Sequence, residues 1–154
     1  MIIDRAGYRL NVGIILVNES LHVFWGRRQG HDTWQFPQGG VQEGESFLAA
    51  LHREVREEIL LEPEDYRILK SRGPYRYLFM EGRKKEGYDG QEQYYFQAEL
   101  VCEDTIVRLS ADCREFRAAR WIPPATFDIN WVAPMKRTVY QQVFQDFFDI
   151  IRRE

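Results

Sequence analysis

Between Gly39 and Leu61 the chain reads GGVQEGESFLAALHREVREEILL, and its glutamates are the residues whose type and spacing most invite chemistry. Glu45 is followed by Glu54, Glu57 and Glu58, with Arg53 directly ahead of the last three. Packing needs do not explain so much negative charge in so short a stretch, whereas a divalent cation does. Oxygen-only donors suit hard cations, so Mg²⁺ or Mn²⁺ fits better than Zn²⁺. The alternative is a solvated glutamate face, with Arg53 paired to Glu57 and Arg56 adding further positive charge.

The carboxylates need one element to hold them on one side. Residues 46–60 are predicted to form a helix, with Ser46 as its N-cap and no Gly or Pro inside. At about 100° per residue, Leu48, Leu51, Val55 and Ile59 fall within an arc of roughly 80°, a stripe for the core. Glu54, Glu57 and Glu58 share a neighbouring arc of about 100°, with Glu58 at the seam against the apolar stripe. Like charges at this spacing repel by roughly 0.2–0.5 kcal/mol per pair, and a partly desolvated carboxylate costs more if left unpaired. A Gly-rich turn at Gly39-Gly40 leads into this stretch, and Pro63 stops the helix.

Taken together, Gly39, Glu45, Arg53, Glu54, Val55, Glu57, Glu58 and Leu61 match the Nudix box, GX5EX7REUXEEXGU, where U is bulky and aliphatic. The segment therefore resembles the Nudix hydrolase family, with Leu60 in place of the second box glycine. A glycine there serves the backbone at the helix end, and a left-handed Leu would cost about 1–2 kcal/mol. Either the helix ends differently here or that strain is tolerated. The segments GYRLNVGIIL, WQFPQGG and GQEQYYF look like the bacterial RNA pyrophosphohydrolase branch, which is related to the asymmetric diadenosine tetraphosphate hydrolases. Leu10 stands where that branch commonly has proline, and Met135 where it has an aromatic able to stack on a base.

The resemblance implies an α/β fold, a Nudix-type α/β/α sandwich with a mixed sheet. It implies Glu54 and Glu58 as metal ligands, Glu57 as ligand or base, and the Gly39 carbonyl as a further donor. Arg53 would hold Glu45, and Glu115, in CREFRAARW, would be another ligand or general base. Two or three divalent ions would fit. Arg9 and Arg28 match phosphate-contacting positions, the alternative being solvated arginines. Lys136 and Arg137 open the last helix, where a basic pair opposes the dipole; an anion partner or a solvated pair would account for them. Tyr77 either lines the pocket or belongs to the core. The implied reaction is hydrolysis of the 5′-terminal tri- or diphosphate of RNA to a 5′-monophosphate, promoting mRNA decay. The alternatives are asymmetric hydrolysis of a dinucleoside polyphosphate and a catalytically silent nucleotide sensor. Retention of Glu54, Glu57 and Glu58 argues against the sensor, which has no need of three repelling carboxylates.

At 154 residues the chain is expected to form one domain, burying about 68–70% of the surface its unfolded chain exposes. No apolar run approaches the roughly 20 residues that span a bilayer, and MIIDRAGYRL has no secretory pattern. Cys102 and Cys113 lack metal-ligand spacing and are expected as free thiols in a reducing cytoplasm. A net charge of −3 excludes a protein that coats long nucleic acid, and no DNA binding is expected. It leaves room for grip on one RNA end, or on a nucleotide polyphosphate, where phosphates and a bound cation supply the attraction. His22, His31 and His52 show no partner pattern.

The remaining elements are strands at 11–17, 21–25, 34–36, 66–71, 77–80, 91–101 and 116–122, a charged loop at 81–90, and a helix over 135–152. Val139, Val143, Phe147 and Ile150 or Ile151 are its expected core stripe. Strands interrupted by one central and one terminal helix suggest a mixed sheet between helices.

Overall fold

The computed structural model describes residues 2–4, 7–79 and 87–149. Strand β1 (Tyr8–Val17) is buried continuously from Asn11 onward, and a strand apolar on both faces belongs inside a sheet. Next along the chain come β2 (Val23–Arg28), β3 (Trp34–Gln35), β4 (Gln38–Gly40) and helix α1 (Phe47–Ile59). They are followed by β5 (Tyr66–Leu78), β6 (Gly90–Leu100), β7 (Phe116–Ile122) and helix α2 (Arg137–Phe148). The sheet runs β3-β2-β1-β6-β5, with β4 added to β1 and β7 to β2. β1 and β6 are parallel while the other pairings are antiparallel, so the sheet is mixed.

Successive residues of β1 serve opposite faces. Val12, Ile14 and Leu16 join a core with Ala50, Leu51, Val55 and Ile59 of α1. Ile15 and Val17 join a second core with Val139, Tyr140, Val143, Phe144 and Phe147 of α2. One helix thus covers each face, the expected α/β/α sandwich. The α2 side is rich in rings: Phe127 stacks on Phe144 with centroids 3.8 Å apart, and Trp25 stands edge-on to Phe36 at 4.7 Å. Burying each of Leu51, Val55 and Ile59 contributes about 1.5–3 kcal/mol, which anchors α1 and the carboxylates it carries.

Helix α1 starts as expected: the Ser46 hydroxyl accepts the Ala49 N–H at 3.1 Å. It ends at Leu60 with φ 60° and ψ 32°, so the left-handed residue is present and Leu tolerates it. Several expectations are corrected. Leu48 is 45% exposed rather than in the core, because helix phase sets a direction but not how far the covering sheet reaches. Gly39-Gly40 is not a turn but part of β4, in register with Val12 and Asn11. The expected strands at 66–71 and 77–80 are one strand through Leu78, with register shifts between Ile68 and Lys70 and between Arg72 and Tyr75. Such bulges bend a strand without ending it. Leu21 lies in the turn before β2, with φ 61° and 71% exposure. Pro134–Lys136 forms a 3-10 turn, so α2 begins at Arg137; Ile150 and Ile151 lie outside the described residues, as do Met80 and residues 81–86 of the expected loop. No helix among the described residues is long and apolar enough to cross a membrane.

Candidate active site

Arg53 ties the loop to the helix. Its Nε and Nη2 donate to the two carboxylate oxygens of Glu45 at 2.7 and 2.9 Å, a bidentate fork. Nη1 donates to Glu54 at 2.7 Å, and Nη2 also reaches the Gly40 carbonyl at 2.9 Å. Glu45 accepts the Gln42 N–H as well, at 2.9 Å. The Arg53 hydrogen bond holds the Glu45 carboxyl below its ordinary range. Burial raises that of Glu54, against the pull of the same arginine. β4 lies directly against this carboxylate: a methyl group at Gly39 would overlap it.

The carboxylate oxygens of Glu54, Glu58 and Glu115 lie within 4.8 Å of one another. Glu54 and Glu58 are one turn apart on α1, and Glu115 arrives from the segment ahead of β7. One Glu115 oxygen accepts the Gln35 amide at 2.9 Å and the Gln38 N–H at 3.1 Å. Burial, and then the charges of Glu58 and Glu54, push the Glu115 carboxyl up to about 8 against those hydrogen bonds. Glu58 accepts the thiol of Cys113 at 2.7 Å, and both cysteines are free, as expected. Burial and the neighbouring Glu58 raise that thiol to about 11, so it serves as a neutral donor. Three converging carboxylates, two of them resisting ionisation, fit a hard divalent cation that would relieve their repulsion. Glu57 stands outside this trio, with 56% of its side chain exposed and its carboxylate 3.7 Å from Arg53.

A cleft leads away from the trio. Its part nearest the carboxylates, about 300 Å³, is lined by Glu54, Glu115, Gly39, Arg9, Arg28 and Arg114 among others. The adjoining part, about 210 Å³, is lined by Arg9, Arg28, Tyr77, Tyr88, Met135 and Lys136 among others. All four residues expected on the substrate side, Arg9, Arg28, Tyr77 and Lys136, thus share one cavity. A methyl at Gly40 would overlap the Arg9 guanidinium, which lies over the Tyr88 ring at 5.7 Å. Lys136 is not a solvated helix-end charge: it is 5% exposed and its amine donates to the Gln35 carbonyl oxygen at 2.5 Å. Tyr77 is both core and pocket wall, its hydroxyl donating to Gln91. Sequence reasoning assigned no role to Gln35, Gln38, Gln91, Tyr88 or Cys113. Gln35, flanked by Trp34 and Phe36, was the one available signal; Gln91 is buried too but sits in a polar run, Gln91-Glu92-Gln93, that gave none.

A mixed sheet between two helices, with a carboxylate trio at the mouth of an arginine-lined cleft, is the arrangement of a metal-assisted hydrolase. A family model described as NUDIX domain matches residues 7–146, and the chain belongs to the Nudix family. An RNA pyrophosphohydrolase from Legionella pneumophila is 43% identical, covering 100% of this chain and 91% of its relative. One from Francisella tularensis is 40% identical over 97% of this chain and 99% of its own. Among solved structures, the E. coli dihydroneopterin triphosphate pyrophosphohydrolase aligns with a TM-score of 0.71 at 19% identity, covering 91% of this chain and 96% of its own. A C. elegans Ap4A hydrolase aligns at 0.61 and 17%, covering 92% and 96%. These last two likenesses concern the fold.

Proposed function

We propose that this protein is an RNA pyrophosphohydrolase, removing the terminal phosphates of 5′-tri- or diphosphorylated RNA to leave a 5′-monophosphate and so promote decay of the transcript. The observation that carries this reading is the carboxylate trio opening into a cleft lined by Arg9 and Arg28, in a chain whose full-length relatives bear that name. Glu54, Glu58 and Glu115 would hold a divalent cation, Mg²⁺ or Mn²⁺, and Gly39, packed against Glu54, and Glu57, next to Glu58 in the chain, would serve one or two more. Bound there, such an ion supplies charge neutralisation for phosphate and an acidified water.

The chain's own residues set up the rest. Arg53 fixes Glu45 and Glu54 against the loop, which keeps the trio's geometry. Arg9 and Arg28 meet the phosphates, and the wall of Tyr77 and Met135 takes the first nucleoside. Glu57, exposed beside the trio, accepts the proton of the attacking water. An enzyme acting on transcript ends would work in the cytoplasm.

The test offers the purified protein 5′-triphosphate RNA and diadenosine tetraphosphate side by side, with Mg²⁺ or Mn²⁺. Phosphate or pyrophosphate released from RNA is the expected result. Turnover of the dinucleotide alone, to ATP and AMP, would replace this reading with a dinucleoside polyphosphate hydrolase. No turnover of either would leave another nucleotide substrate or a silent sensor.

A further inference from the structure

A second cavity, of about 260 Å³, lies outside the cleft and is lined by Trp25, Arg27, Asp32, Trp34, Arg120 and Trp131. The strand register explains why these side chains meet. Arg27 pairs with Trp34 across β2 and β3, and Trp25 with Arg120 across β2 and β7, and directly paired residues share a face. Their chain neighbours Arg28 and Gln35 line the cleft. The turn between β2 and β3 divides the two hollows: His31 lines the cleft and Asp32 the second cavity.

The groove's chemistry suits a base on a phosphate backbone. The Arg120 guanidinium lies over the Trp34 ring at 4.7 Å, forming a flat platform, and Trp131 stands at another wall. Two arginines face one acid, Asp32, which pairs with Arg27. Trp25 forms the floor at 1% exposure, and its indole N–H has no hydrogen-bond partner among the described residues. The Nε of Arg27 is likewise unpartnered. Buried donors without acceptors are uncommon, and a nucleobase carbonyl or a phosphate oxygen would satisfy them.

We propose that this groove binds a nucleotide of single-stranded RNA downstream of the reacting 5′ end, its base stacking on Trp34 and its backbone meeting Arg120 and Arg27. The inference rests on the RNA reading above. It gives the enzyme a preference for longer transcripts that the cleft alone does not supply.

The experiment measures KM and kcat for a 5′-triphosphate dinucleotide and an octanucleotide of the same 5′ sequence, using wild type, Arg120→Glu and Trp34→Leu. Arg120 is exposed, so its replacement removes no core packing. The wild type is expected to show an octanucleotide KM lower by about tenfold, the scale of one stacked base. Both variants should raise that KM to the dinucleotide's while leaving dinucleotide kinetics unchanged, which also reports an intact fold. Equal KM for the two lengths in the wild type, or a length preference unchanged in the variants, overturns the groove and leaves the RNA reading standing. Failure of the wild type to hydrolyse either RNA overturns both.

Discussion

Glu115 makes the stability of the metal-free protein depend on pH in an unusual direction. Its carboxyl is raised from 4.5 to about 8, chiefly by burial. Between those values the folded chain holds a proton that the unfolded chain has released, so stability falls as pH rises through the window. Below about 4.5 both states are protonated and the effect is absent; above about 8 both are ionised and the penalty is complete. At about 1.4 kcal/mol per pH unit, a displacement of this size is several kcal/mol, and solvent access to the partly exposed carboxyl cuts it to about 2 kcal/mol. For a chain of this length that is about 4–8 °C in Tm. Thermal unfolding of wild type and Glu115→Gln, in chelator from pH 5.5 to 8.5, isolates the contribution as the difference between two slopes. The variant cannot titrate at this position and should lose the fall. Adding Mg²⁺ should stabilise the wild type more at pH 8 than at pH 6, because the ion takes the deprotonated carboxylate. Parallel slopes in wild type and variant would refute the argument, since the proton would then not reside on Glu115.

Three further outcomes follow from the site. Gly39→Ala places a methyl on the Glu54 carboxylate and should raise the half-saturating Mg²⁺ concentration by about 10–100-fold, measured by metal titration of activity; unchanged metal dependence would show that Glu54 is not held against β4. Glu57→Gln should lower kcat by about 10²–10⁴-fold with Tm unmoved, because the side chain is largely exposed; near wild-type turnover would remove it from the chemistry. Leu60→Gly should be more stable in urea than Leu60→Ala by about 1–2 kcal/mol, since both lose the side chain but only glycine relieves the left-handed strain. Equal stability would mean that the helix does not end there in a left-handed turn.

What could be read in advance follows from how far apart in the chain the interacting groups lie. Glu54 and Glu58 sit one turn apart on a single helix, so periodicity alone places them side by side. Glu115 shares no element with them, and only the family resemblance pointed to it. The groups that hold it, Gln35 and the Gln38 N–H, come from strands too short for any periodic signal. The expected strands at 66–71 and 77–80 are continuous in β5 because the register shift between Arg72 and Tyr75 bends the strand without ending it, and such a bulge leaves no periodic trace in the sequence.

Lys136 shows best what a residue list leaves out. In the sequence it is a charge opposing a helix dipole, and that misfit pointed outward to an anion or to solvent. Folded, it precedes the helix in a 3-10 turn and its buried amine donates to the Gln35 oxygen. That bond orients the amide, so its nitrogen must face Glu115. A side chain expected to touch substrate therefore also sets the direction from which Glu115 is held, joining the wall of the nucleoside cavity to the carboxylate trio through one glutamine.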